Sequence, residues 1–434
     1  MFGLVPLWWA LGAFYLVWPL FGALLLAYLI RRGRVVLPSG TPWWLVFLAL
    51  AVLSASQLGR SSAGLSLALR LAFHITALVV AVYVYTAARE LTPWRRILRP
   101  LCLFWLALVL LGWVGVVLPQ LSLTTPTESL LPAGITQAPF INDMVHLHAS
   151  EYSPRALNPT YRPSAPYPYT NNWGSTYALL VPCVLGYLLS VRTGPLRLVL
   201  MVSLPLSLPP AFLTLNRGMF LSLGAGLLVL AGRAIRRGQV RVVGTVLAVA
   251  VLGWLATLLI PVGELIEQRT STSDTTVDRA SLYREVLRSI VDSPLLGYGA
   301  PVTVDTTSAN APVGTQGQFW LVMFSHGIPA LCCFVAWFVV VAARLARARS
   351  AAGQWLAVVP VIGLVQLPFY GLNFHNLSAA FFAVGLALAA VDGPVRREAH
   401  LPAGGRWASA RRTGTAAAAS SPTGAVTSVS GAGR

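Results

Sequence analysis

The chain has no lysine, and only 10% of its 434 residues are charged. An ordinary water-soluble domain is about a quarter charged. The shortage excludes a soluble enzyme. Acidic residues are scarcer still, 13 against 31 arginines, for a net charge of +18. The four cysteines (Cys102, Cys183, Cys332, Cys333) all sit in apolar runs. That excludes a disulfide framework and the paired spacing of a zinc site, so packing is their expected role. No basic stretch precedes the first apolar run, so no cleavable leader is evident.

What is abundant is apolar: 56% of the residues are hydrophobic. A helix needs about 20 mainly apolar residues to cross about 30 Å of hydrocarbon. Eleven runs qualify, at about 5–30, 42–57, 64–87, 100–120, 174–191, 198–215, 218–232, 242–260, 318–343, 355–371 and 376–391. In lipid the backbone must satisfy its own hydrogen bonds, so these are helices. The expected fold is all-α, a polytopic membrane protein of about 11 (10–12) transmembrane helices with two large extracytoplasmic loops. Residues 5–30 hold Pro6 and Pro19, which allows two half-helices. The run 198–215 holds Pro205, Pro209 and Pro210. Proline removes a donor and kinks a helix, so a broken helix beside a polar cavity is expected there. Tryptophans near run ends, such as Trp43, Trp44 and Trp173, form an aromatic belt.

The arginines set the orientation. Twenty-two fall on one set of sides and eight on the other, with Arg70 inside a run. The positive-inside rule makes the larger set cytoplasmic. Acidic residues divide the other way, 3 inside and 10 outside. The high net charge therefore describes topology, and no nucleic-acid partner is expected. The expected location is the cell membrane, multi-pass, with the loops 121–173 and 261–317 outside. Residues 1–391 form the transmembrane domain. Residues 392–434, rich in Ala, Gly, Ser, Thr and Arg, form a disordered cytoplasmic tail, held loosely to anionic membrane lipid.

The loop 261–317 concentrates the chain's charge. Four arginines (Arg269, Arg279, Arg284, Arg288) and seven carboxylates (Glu264, Glu267, Asp274, Asp278, Glu285, Asp292, Asp305) lie between two apolar runs. Within it, Leu282, Val286, Leu287 and Ile290 have helical spacing, which predicts an amphipathic helix over 277–291. Elsewhere, Arg70 and His74 share one helix face. Arg70 lies at a depth where ionisable groups usually face a polar cavity. The loop 121–173 carries tyrosines with Arg155 and Arg162, a mixture suited to sugar stacking and anion recognition. His146 and His148 are two apart, but no third ligand stands nearby, so no metal is expected. Asn216-Arg217-Gly218 ends the proline-rich run, and a short run holds Arg217 at the membrane face.

Several of these strings, in this order, resemble the O-antigen ligase and polysaccharide polymerase superfamily. Arg162 followed by Asn171 or Asn172 resembles its arginine–asparagine element. LTLNRGMF resembles its Ser-Arg-Gly element, with Arg217 matching and Asn216 in place of Ser. DRASLYREVLRSIVDSPLLGYGAP resembles its most recognisable string through Arg279, Tyr283, Pro294, Gly297 and Gly299. The chain departs from the family at Gln316-Gly317, where His-Asn is common. Glutamine cannot act as a base. The lack of lysine, with abundant Ala, Gly and Arg, suits a bacterial, high-GC origin.

The resemblance implies transfer of a glycan from a polyprenyl-diphosphate carrier to a saccharide or lipid acceptor in cell-envelope biogenesis, with no cofactor. Such a glycosyltransferase stabilises the departing diphosphate with arginines. Arg217 and Arg279 are the first candidates, with Arg70, Arg162, Asn172, Arg284, Arg288 and Gln316 as substrate-binding residues. Asp278 and His375 are the catalytic candidates for the acceptor's proton, with Asp274 and His146 behind them. Two rivals stay open. One is a peptidoglycan-type polymerase with an essential loop carboxylate. The other is a non-enzymatic transporter or binding protein for lipid-linked oligosaccharide, although no internal repeat is visible.

Overall fold

The computed structural model describes residues 1–393, except 60, 91–92, 137–138, 154–159, 260–274 and 303–311. The side chains of 61–62, 139, 153, 160, 256–259 and 275–279 also lie outside the description. The chain divides into Met1–Val395 and Arg396–Arg434. The second unit, and with it nearly all of the expected tail, lies outside the described residues.

The apolar runs fold as helices. In order they are α1 (Val5–Ala10), α2 (Val17–Arg32), α3 (Thr41–Leu53), α4 (Ser61–Arg89) and α5 (Trp94–Val117). The first long connection carries α6 (Pro126–Leu130), α7 (Ala133–Thr136) and α8 (Pro139–Val145). Then come α9 (Thr170–Ser190), α10 (Pro195–Leu206), α11 (Leu208–Leu213), α12 (Arg217–Arg236), α13 (Val240–Leu259) and α14 (Thr275–Ser289). The chain closes with α15 (Gln318–Leu345), α16 (Ala351–Leu356), α17 (Val359–Gln366) and α18 (His375–Asp392). Seven segments are long and apolar enough to cross a membrane, and three shorter apolar ones are Thr41–Gln57, Val240–Leu255 and Ala351–Gln366. With α1 and α2 they account for all eleven apolar runs, and the protein is an all-α polytopic membrane protein. The only described strands are two small antiparallel pairs in the first connection, β1 (Ser122–Leu123) with β2 (Leu147–His148) and β3 (Ser150–Ser153) with β4 (Thr160–Pro163).

Four runs are broken, that at 355–371 into α16 and α17 at Ala357–Val358 just ahead of Pro360, and three more for equally local reasons. The first run is two helices around a turn at 11–16. Phe2 packs 4.8 Å from the ring of Trp18, so the chain doubles back on itself. The proline-rich run breaks at Ser207, between α10 and α11. The last break is in α15, where Gly327 has φ 84 and ψ 174 just ahead of Pro329.

That last break is repaired by the segment 294–300. In an unbroken helix the Ile328 N–H would bond the Phe324 carbonyl, and the Ser325 carbonyl would need an N–H at 329, which proline lacks. Here Ile328 N donates to Pro294 O (2.8 Å) instead. Tyr298 N donates to Phe324 O (2.9 Å) and Gly299 N to Ser325 O (2.8 Å). The Tyr298 ring stacks on Phe324 at 4.8 Å. The Pro-Leu-Leu-Gly-Tyr-Gly string is thus the complement of a broken helix. Non-helical backbone at such a place is tolerated only when protein satisfies it.

The amphipathic helix expected at 277–291 is α14. Leu282, Val286 and Ile290 point into the core, while Leu287 is exposed, off the i, i+4, i+8 row. Tyr283 fastens this helix to α15. Its ring stacks on Trp320 at 4.4 Å, and its hydroxyl donates to Gln316 O at 3.2 Å.

At the other end of the bundle, arginines close the helix C-termini. Arg344 bonds Asp392 at 2.6 Å, Tyr85 donates to the same carboxylate at 2.8 Å, and Arg89 donates to Gly393 O at 2.9 Å. Arg197 donates to Leu188 O and Val191 O at the end of α9. Cations there bond the last carbonyls and complement the negative end of the helix dipole.

Candidate functional site

Four helices begin side by side at the end of the bundle that carries the two long connections: α9, α12, α15 and α18. Hydrogen bonds tie their first turns together. The buried Asn216, N-cap of α12, donates from Nδ2 to Thr170 O at 2.7 Å. Its Oδ1 lies 3.5 Å from the Tyr370 hydroxyl. Gln318 N donates to Tyr370 O (2.8 Å), and Gln318 Oε1 accepts from Leu372 N (3.0 Å). Asn376 donates to Gly371 O (2.7 Å) and to Ser175 Oγ (3.3 Å). Below them Gln366 accepts from Ser175 Oγ (2.8 Å) and donates to Ser175 O and Ser222 Oγ.

A helix N-terminus carries about half a positive charge, even where, as here, protein groups already take some of its first N–H donors, such as Thr170 N and Gln318 N. Four of them converging make one end of the bundle a field that favours anions. Arg217 stands in that field, exposed, as the first residue of α12. Just before it, Leu215 has φ 53. A left-handed residue other than glycine costs about 1–2 kcal/mol. The strain sits at the reversal from α11 to α12, which places Asn216 and Arg217 against α9.

The other sequence candidates spread around this centre. Gln316 is half-buried just before α15, with its carbonyl held by Tyr283. Asn172 is half-buried in the first turn of α9. Arg162 is buried on β4, and donates to Glu151 at 2.7 Å. The second oxygen of Glu151 accepts from Thr170 N (2.8 Å). Arg162 thus fixes the start of α9 through a carboxylate, while its Nε and Nη1 have no partner among the described residues. Arg70 is half-buried on α4, its guanidinium 5.1 Å from the Phe140 ring and its Nε 3.3 Å from Ser66 Oγ.

Arg284 and Arg288 are exposed on α14. The 3.9 Å approach of Arg288 to Glu285 adds little in solvent. The side chains of Asp278 and Arg279 lie outside the described residues, as do Arg155, Arg269 and Asp274.

His375 opens α18. It is fully buried. Its ring stacks on Phe14 at 3.6 Å, Trp18 lies 4.4 Å away, and Nε2 lies 2.9 Å from Phe14 O. Nδ1 has no partner among the described residues. Among those residues, no group of three His, Cys, Asp or Glu could hold a metal.

Sequence reasoning missed the layer beneath: Ser175, Ser222, Gln366, Tyr370 and Asn376. The signal was present. Gln366 is the one polar side chain in VIGLVQLPF, and Asn376 follows His375 at the mouth of an apolar run. A polar group inside an apolar run needs a partner, and such groups find one another.

Between α1 and the first long connection an open recess with room for about one water is lined by Trp9, Phe14, Tyr15, Asp143, His148 and Tyr167, among others. Asp143 accepts from the Tyr169 hydroxyl. Burial raises the Asp143 pKa above its ordinary value, offset in part by that hydroxyl and by His148. A carboxyl with a raised folded pKa favours the fold fully below its unfolded value of about 3.9, and this is lost as pH rises through the folded value. Asp143→Asn is therefore expected to raise the melting temperature in detergent at pH 7 and leave it unchanged below about pH 4. Equal shifts at both pH values would exclude the carboxylate as the cause.

No curated protein matches the chain. Residues 202–335 match the family model described as O-Antigen ligase. That stretch holds Asn216-Arg217-Gly218, Arg279, the 294–300 segment and Gln316. It supports the resemblance read from those strings: this is a polytopic membrane protein whose residues 202–335 are similar to the O-antigen ligase family.

Proposed function

We propose that the protein transfers a glycan from a polyprenyl-diphosphate carrier to a saccharide or lipid acceptor on the extracytoplasmic side of the cell membrane, without a metal. The observation that carries this reading is the convergence of four helix N-termini around Arg217. When the glycosidic bond to the carrier breaks, the diphosphate gains a negative charge. Preorganised donors aimed at developing charge often lower a barrier more than any other single device. Arg217 acts there, with Arg279 from α14 as its partner. Arg70, Arg162, Asn172, Arg284, Arg288 and Gln316 bind the rest of the substrates. For the acceptor's proton this reading favours Asp278 over His375, because rings enclose His375 and leave no approach for a saccharide hydroxyl.

The test is purified protein given a polyprenyl-diphosphate-linked oligosaccharide and candidate acceptors, with release of polyprenyl diphosphate as the readout. No acceptor-dependent release with intact protein would refute the reading. Transport without release would favour the carrier-binding alternative.

A further inference from the structure

Three side chains of the first connection form a relay apart from that centre. Ser122 Oγ lies 2.8 Å from His146 Nε2. His146 Nδ1 lies 2.9 Å from Glu128 Oε2 and 3.1 Å from Oε1. A carboxylate only accepts, so Nδ1 carries the proton and Nε2 accepts from the serine hydroxyl. The order is nucleophile, base, orienting acid, with each ring nitrogen facing the partner that acyl transfer requires.

Each member is held by a different element. Glu128 belongs to a capping box on α6: its backbone N donates to Thr125 Oγ1 (3.1 Å), and its carboxylate accepts from Thr125 N (3.3 Å). His146 follows α8, its N–H bonded to Asn142 O at 2.8 Å. Ser122 lies in β1, opposite His148 of β2. Ala149 N donates to Leu121 O across that pair. This makes Ser122–His148 the non-hydrogen-bonded kind, with the Ser122 N–H turned away from β2. The nucleophile's own N–H is then free of the ladder to meet a developing oxyanion.

A structural explanation covers only part of this. A helix cap needs the Glu128 carboxylate but no histidine. A serine present for packing would be buried, whereas Ser122 is exposed. His146 also borders the small open recess that Trp9 and His148 line, so its ring edge is reachable from solvent.

We propose that Ser122, His146 and Glu128 are an acyl-transfer triad acting on carboxylic esters. Ser122 Oγ attacks the ester carbonyl while its proton passes to His146 Nε2. The C–O bond breaks, and the alcohol leaves with that proton. Water then attacks the acyl-serine, giving a proton to Nε2, and the carboxylic acid departs as the proton returns to Ser122. Glu128 is the positioning residue, holding the ring and balancing the imidazolium charge.

The test uses the full chain in detergent, with a fluorophosphonate probe and p-nitrophenyl acetate. The expected result is one modified residue, Ser122, and nitrophenolate release, both lost in Ser122→Ala. That change removes only an exposed hydroxyl, so folding is not at stake. His146→Gln is expected to slow labelling by about a hundredfold or more. Glu128→Gln keeps the capping box, which Gln also serves, but removes the charge; labelling about tenfold slower or worse is expected. An unlabelled wild type, labelling that survives Ser122→Ala, or Glu128→Gln labelled at the wild-type rate would each overturn the triad.

Discussion

Arg217→Ala is expected to lower kcat for glycan transfer by about 100- to 1000-fold, with a much smaller change in KM. The split follows from where the charge changes. In the proposed reaction the bound carrier already carries a diphosphate, held by the neighbouring helix N-termini and other arginines. What Arg217 would meet in that reaction is the extra charge that appears as the sugar departs. An interaction stronger in the transition state than in the ground state acts on kcat. Arg217→Lys should fall between, since an ammonium keeps the charge but not the planar fork of donors. The measurement is release of polyprenyl diphosphate at saturating donor. A raised KM with unchanged kcat would make Arg217 a grip on the substrate only.

Gly297→Ala is expected to be strongly damaging for so small a substitution, at a cost on the order of 4 kcal/mol or more. Gly297 has φ +63, and a Cβ there would meet the Phe324 carbonyl oxygen and lie 2.7 Å from Ser325 C. Backbone cannot yield as a flexible side chain can. The segment would have to lift from the break in α15. That strands the Phe324 and Ser325 carbonyls and the Ile328 N–H, besides the cost of the left-handed conformation. Gly224→Ala is the control, because nothing lies within 4 Å of its Cβ position. Thermal unfolding in detergent should separate the two, with Gly224→Ala neutral or slightly stabilising. A folded Gly297→Ala with an unchanged melting temperature would contradict the repair described for α15.

The apolar runs made the helices readable because span length and backbone satisfaction leave little choice. The prolines at 205, 209 and 210 likewise announced the break at Ser207. Other features depend on distant partners. That Pro294 to Gly299 would complete a helix broken at Gly327 needs two segments about thirty residues apart to be seen together. Arg217 was visible because a short run pinned it to one end. Asn216, one position earlier, looked like a substitution in a motif, yet it is the hinge pin between α9 and α12. The burial of His375 is of the same kind: the rings that enclose it, Phe14, Trp18, Phe73 and Tyr167, lie far from it in the sequence.

The repair of α15 also sets an order of events during synthesis. The donors at Tyr298 and Gly299 are made before the helix that needs them. When residues 318–345 enter the bilayer, their complement is already waiting at the same end. A carbonyl stranded in hydrocarbon costs several kcal/mol, so a span that arrived first would resist insertion. The chain direction therefore works as an assembly instruction. A circular permutation that moved 278–300 behind 318–345 would keep every residue and remove that instruction.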